Sequence, residues 1–533
     1  MAKRWYNPDT GSNSTGDGSE NNPWQYPTSS HGAAGDTFWL KRGAMHMCAN
    51  NYGWLPKMSQ PGGPTTYIRA YGEAQIPHAL IDNAHANGPT LNIGGGSTTR
   101  AELVIEDLWV TAAGNPSYPI YIHSQDGALE NISLRRCKAT DKGAQRSGFF
   151  ISSDNPETQV NRNILLEDCE AYGNDEHGIL WSSTINGIAR RCRTSNNGLG
   201  TGAHGMSAWK TRTNLTSGWS LVSGTTYQRT MTEITQSGTD ISAVIVLSGA
   251  SAATYPRLIK NTATPSAPAL GEFGYVPGAG TGVLYVNLGT TPVGQTLNAC
   301  YGTLSGLRFE YCQSWGNRAY AAYTYHEGHG FALDDFTSDS FIIGCESWDN
   351  EGCGISVNRG DNNTITGNVL HDNLWPGLAM SRGRGNRIIN NTSFGNNLAA
   401  SHNGFTNGNL ADIVIGSMSV NTLIENNLIF QAMRDYGIQV DASSASGSIA
   451  VTNYIEGLVG RISGISESAA FHAAVAGMVH RDGRLLVPYM LEGVPMLNPL
   501  GGAGTYVQGV RLMDGQRAQP GRTPVGAYAE GRY

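Results

Sequence analysis

Ionisable side chains are scarce in this chain, and they are not scattered evenly. Only 14% of its 533 residues are Asp, Glu, Lys or Arg, yet the block HEGHGFALDD (326–335) brings His326, Glu327, His329, Asp334 and Asp335 into ten positions. Other candidates share an offset with that block. Lys210, Asp335, Arg359 and Arg382 each stand five positions after a glycine that opens a short apolar run, and Trp209 and Asp334 stand one position earlier. The position before the glycine holds His177, His204 and His329, and nearby corners add Asp175, Glu176, Asp349 and Glu351. Two chemistries suit such a set. Glycoside hydrolysis needs two carboxyls about 5–9.5 Å apart, one protonated and one ionised. Asp334 and Asp335 are neighbours that a strand would send to opposite sides, so one of them pairs with Glu327 or Glu351. β-Elimination from a uronate needs a base beside cations that offset the sugar carboxylate. Lys210 with Arg359 and Arg382 fits this, with Asp335 tuning the lysine. His329 is grouped with the proton-transfer candidates. Arg382, Trp209, Trp181, His204, His177 and Glu351 are grouped with those that would hold a sugar, the tryptophans by stacking and the arginines by gripping carboxylates. A salt-bridge ladder that fixes register is the alternative reading of the charged column. For the histidines it is corner residues bonded to backbone, since none has the spacing of a zinc motif.

Such distant residues can meet only if the backbone repeats. One position reads Cys137, Cys169, Cys192, Cys312, Cys345, Asn368, Asn391 and Asn426; apart from the long gap between Cys192 and Cys312, several intervals are 23 residues and the others roughly ten longer, as loop insertions would make them. The marker glycines are Gly148, Gly178, Gly205, Gly330, Gly354, Gly377 and Gly437, and the first and third residues after each are apolar, as in Phe331/Leu333 and Ile355/Val357. Alternation of period two means strands whose alternate side chains face inward. Short strands joined by Gly/Asn/Asp-rich corners in a repeat of about this length predict an all-β solenoid, the parallel β-helix. Gly at 69 of 533 residues suits such corners. The cysteines then form an inward packing column instead of disulfides, because stacked Cβ vectors run parallel.

These coils, the Cys and Asn ladders and the opening block GSENNPWQYPTSSHGAAGDTFWLKRG (18–43), with Pro23, Trp24, Gly35, Asp36, Leu40 and Gly43, resemble the right-handed parallel β-helix, pectate-lyase-like superfamily. The resemblance spans about 5–212 and 304–445. It implies a carbohydrate-active protein of the phage tailspike, polysaccharide-depolymerase type, a homotrimer as such spikes usually are, with other phage tail proteins as partners; no separate particle-anchoring domain is evident before residue 5, so such a spike would dock through its cap or has had that domain removed. The Lys-plus-Arg set resembles that of some β-helix lyases, although Asp335 departs from it.

The expected organisation is an N-terminal cap and first turns (1–100), coils (101–212), an inserted small β subdomain (213–303) that overhangs the Lys210 region, further coils (304–445) and a C-terminal capping or oligomerisation region (446–533) with a helix-compatible piece at 467–483. A net charge of −7 leaves no footprint for nucleic acid, and no apolar run approaches the length of a membrane span. The N-terminus has no apolar stretch of a secretory signal. This predicts export by lysis as a virion part, or a leader that was removed. No cofactor is expected, although the Asp/Asn-rich corners could hold Ca²⁺ without EF-hand spacing. The leading expectation is a tailspike-type depolymerase of a bacterial surface polysaccharide, in a virion or outside the cell. A secreted pectate-lyase-like lyase or hydrolase and a non-catalytic glycan-binding β-helix are the alternatives.

Overall fold

Each coil is built from three short apolar runs whose alternate residues turn inward, so every strand must find a like strand one turn away. In the computed structural model they do so in parallel. The structure describes residues 2–464 apart from 49–52, 74, 84–87, 95–97, 113–117, 126, 142–145, 155–158, 201–202, 233–239, 253–257, 279–280, 320–326, 400, 403–404, 407–410, 417–418, 431–435, 452 and 456–459. The helix-compatible piece at 467–483 and His326 therefore lie outside the described residues.

Three long sheets wrap one core. Sheet A runs from Lys3–Tyr6 to Ile449–Val451, sheet B from Met45–Met47 to Tyr454–Ile455, and sheet C from Leu91–Gly94 to Gly460–Ser463. The parallel stack thus begins at the third residue and continues past 445, where a cap was expected to start. Its interior is one column of side chains, Phe149, Ile179, Met206, Phe331, Ile355 and Leu378 among them, all fully buried.

Polar ladders hold the corners. The eight cysteines are buried and free, and thiols of the column donate to carbonyls of the preceding coil, as Cys312 Sγ does to Ala189 at 3.3 Å. The column continues through Asn368 and Asn391, then through Asn427 and Asn453, the Asn391 side chain donating to Asn427 Oδ1 at 3.0 Å. Asn426, the expected member, instead takes the left-handed corner conformation with φ 52°. A second ladder, Asn174–Asn197–Asn317–Asn350–Asn373–Asn396, runs between sheets B and C. It explains a marker glycine: a Cβ on Gly354 would come within 2.7 Å of the Gly377 carbonyl and 3.0 Å of Asn373 Nδ2.

Between Ala208 and Arg308 the chain leaves the stack and returns in unbroken register, Ile188 pairing with Arg308 and Arg193 with Gln313. The excursion forms two small, mainly antiparallel sheets: Thr211–Leu215, Ile241–Ser248 and Thr296–Tyr301 in one, and five strands from Ser220–Ser223 to Gly282–Asn287 in the other. It has its own core around Val244, Phe273 and Leu284.

Candidate active site

Sheet C positions the candidate site. Its strands Ile179–Trp181, Met206–Ala208, Phe331–Leu333, Ile355–Asn358 and Leu378–Ser381 pair in register, so that Trp181, Ala208, Leu333, Val357 and Met380 align facing inward. The next positions are Ser182, Trp209, Asp334, Asn358 and Ser381, and after them come Ser183, Lys210, Asp335, Arg359 and Arg382. At Asp335, Arg359 and Arg382 the backbone is in the left-handed region, with φ 42°, 65° and 56°. These side chains therefore leave from a corner and not from a flat strand edge.

Asp335 is committed to guanidinium groups. Its Oδ1 accepts from Arg359 Nη1 at 2.5 Å and from Arg212 Nη1 at 2.8 Å, and both Asp335 and Arg359 are buried. Burial pushes its carboxyl above the usual range against the pull of Arg212, with the Asp334 charge adding to the rise and Arg359 opposing it. The Lys210 N–H donates to the Asp335 carbonyl at 3.2 Å and the Arg359 N–H to Ser381 at 2.7 Å, which brings Lys210, Asp335, Arg359 and Arg382 onto consecutive coils. Arg382 is half-buried, and burial together with the Arg359 charge holds its guanidinium below its ordinary value. A buried carboxylate bonded to two cations fixes geometry and has little freedom to exchange a proton.

Proton chemistry has better material beside it. The histidines form a ladder: the His204 N–H donates to His177 Nδ1 at 3.2 Å, the His329 N–H to His204 Nδ1 at 3.3 Å, and the Cys353 N–H to His329 Nδ1 at 2.8 Å. The His204 and His329 rings stack 4.8 Å apart. Because each Nδ1 accepts, the proton of the neutral ring sits on Nε2, and His204 Nε2 lies 3.4 Å from Asp334 Oδ2. Burial, reinforced by His204, holds His177 well below the usual imidazole range. Glu327 lies within electrostatic reach of the same pair. Burial pushes its carboxyl up, His204 opposes, and the Asp334 charge adds to the rise. Ser207 and Ala332, the middle residues of two sheet C strands, have no exposed surface.

The remaining candidates divide. Trp209 is half-buried and meets the His177 ring edge-on at 5.2 Å, at the edge of the histidine ladder. Trp181 is 0% exposed inside the coil, so the expectation that it stacks on a sugar is corrected: its place in the alternation is an inward one. The Glu351 carboxylate accepts from the Ala319 N–H at 2.8 Å and faces Arg318 at 3.7 Å, beside the asparagine ladder. Arg212 escaped the sequence reading. It lies two residues past Lys210 on a strand that has left the repeat, where column offsets carry no information. The same insertion presses Ala243, Ile245 and Cys300 onto Phe336, next to Asp335. Among the described residues no group of three or more His, Cys, Asp or Glu is arranged to hold a metal ion.

Residues 294–408 match the family described as right handed beta helix region. Among solved structures, the A-module of an Azotobacter vinelandii mannuronan C-5 epimerase superposes with a TM-score of 0.50 at 13% identity, over 82% of this chain and 91% of that one. The chain is a right-handed parallel β-helix. Pectate lyase Pel9A is similar at 14% identity over 99% of this chain and 96% of its own, with a TM-score of 0.43. Tailspike protein 3 of bacteriophage CBA120 is similar at 10% identity over 86% and 60%, with a TM-score of 0.36. No curated protein matches the sequence. At such identities the likeness is one of fold, and the chemistry of this β-helix has to be argued from its own side chains.

Proposed function

We propose that this β-helix is a polysaccharide depolymerase that cleaves its substrate over sheet C by glycoside hydrolysis, with Glu327 as the acid and Asp334 as the carboxylate that activates water or attacks the sugar. The observation that carries the reading is the Glu327–His204–Asp334 group, where burial and the Asp334 charge both favour a protonated Glu327. Glycosidic cleavage uses one protonated carboxyl with a second carboxyl nearby, and the protonated form is favoured at Glu327. Asp335 and Arg359 position the wall of the cleft, Arg212 ties the insertion to it, and Trp209 offers a ring at the margin. The fold shared with a mannuronan epimerase agrees with a polysaccharide substrate.

A second reading, β-elimination, draws on the cations: Arg212 and Arg359 hold Asp335, and Lys210 and Arg382 stand on neighbouring coils, a setting that would offset a uronate. Incubation with a panel of bacterial capsules and uronate polymers separates the two. New reducing ends without ultraviolet absorbance support hydrolysis, unsaturated products support elimination, and binding with neither identifies a glycan-binding module. For the setting, the reading is a homotrimeric phage tailspike-type component acting on a bacterial surface. A secreted enzyme is its rival, and a monomeric mass by light scattering would favour that rival.

A further inference from the structure

On sheet B, away from the sheet C cleft, the outward register column is aromatic. Trp315 stacks on Trp348 at 4.8 Å and 6°, Trp348 on His371 at 5.8 Å and 2°, and His371 on Phe394 at 4.9 Å and 5°. A ladder of rings covers its own faces except at its ends. Trp315 is such an end, because its register neighbour toward the N-terminus is Ser195, which carries no ring. Beside it opens a pocket of about 510 Å³ lined by Arg193, Gln313, Trp315, Glu346, Trp348 and His371. A second hollow of about 470 Å³ shares Arg193 and Gln313 with it and extends the trough to Asp168, Arg191 and Tyr311 on the shoulder of sheet A.

The polar groups of the trough are planar and paired. Gln313 Nε2 donates to Glu346 at 2.9 Å, His371 Nε2 lies 3.5 Å from Glu346, and Arg191 grips Asp168 through Nε at 2.7 Å. Arg193 is the loosest, with its side chain 59% exposed and 3.9 Å from Glu170. Carboxylates and cations balance closely along the trough, which disfavours a strongly charged ligand. A flat apolar face flanked by fork-shaped donors and acceptors suits a ring with an apolar face and a rim of hydroxyls.

We propose that this trough is a second, non-catalytic glycan site that takes a neutral hexopyranose unit against the open face of Trp315, with Arg193, Gln313 and Glu346 bonding its hydroxyls. Only the class of ligand rests on the reading of the protein as polysaccharide-active. The site would keep a long chain on the β-helix while sheet C works on another part of it.

The test is affinity electrophoresis of the full chain through gels containing dextran, starch, galactomannan or mixed-linkage β-glucan. Each run includes the variants Ser195→Trp, which extends the ladder over the open face, Trp315→Ala and, as a control in the other cleft, Asp334→Asn. The expected result is retardation of the wild type by at least one of these polymers, at least tenfold weaker in Ser195→Trp and Trp315→Ala and unchanged in Asp334→Asn. Retardation by none of them, or equal retardation of all variants, overturns the proposal. A fall in oligomer mass in Ser195→Trp on light scattering also overturns it, and would make the face an interface between copies. Cleavage of short oligosaccharides is measured separately, so failure of the sheet C reading shows there and not in the gels.

Discussion

At the scale of single residues, two carboxyls that look alike in sequence have different fates. Asp335 is enclosed by Arg212 and Arg359, whereas Asp334 faces the His204 ring and influences Glu327. Glu327→Gln and Asp334→Asn are each expected to lower turnover by about 10²-fold or more while leaving the thermal midpoint close to that of the wild type, as read by reducing-end release and calorimetry. A buried acid elsewhere sets a pH limit on stability. Asp412 stands at a marker-glycine position, opposite Gly377, where the second asparagine ladder ends at Asn396, and burial pushes its carboxyl up to about 7. Its folded-state pKa is raised, so the folded state holds a proton that the unfolded chain gives up from about pH 4 upward. Stability is then expected to fall between about pH 4 and pH 7 by a few kcal/mol and to level off above. Urea unfolding across that range should show the slope in the wild type and a flatter profile in Asp412→Asn.

At the scale of elements, the coils are joined by ladders as much as by strands. Asn373 receives from Asn350 at 2.9 Å and donates to Asn396 at 2.8 Å, besides bonding carbonyls of Ser347 and His371, with no exposed surface. Asn373→Ala would leave several buried polar groups unpaired at about 1–3 kcal/mol each, so a loss of at least about 2 kcal/mol is expected in denaturant unfolding. Cys192→Ala, which removes a small thiol from a packed column, should cost less. The first ladder was legible because cysteine is rare enough for its spacing to show. The second was not, since asparagine is common at every corner, and which ones stack is marked by the close approach of the marker glycines to them, as of Gly354 to Asn373 and Gly377 to Asn396.

At the scale of the molecule, a solenoid makes each coil depend on its neighbours and on little else. The stack is continuous across the insertion, with Ile188 beside Arg308, Arg193 beside Gln313 and Met206 beside Phe331. Removing 211–301 and joining Lys210 to Gly302 should therefore give a chain that still folds cooperatively, with far-ultraviolet dichroism typical of β-structure. Cleavage should drop, because Arg212 and the cover on Phe336 are lost. A deletion variant that does not fold would show that the insertion supports the stack instead of only the cleft.

The sequence by itself determined the winding. A two-residue alternation inside a recurring repeat admits parallel stacking and little else, and the constant pitch then brings Lys210, Asp335, Arg359 and Arg382 to one corner. Only the tertiary structure decided what those groups do. Whether a carboxyl meets an imidazole or a pair of guanidiniums depends on how far each corner side chain reaches and on what the insertion folds back against it. Two of those contacts, Arg212 to Asp335 and His204 to Asp334, join segments more than a hundred residues apart.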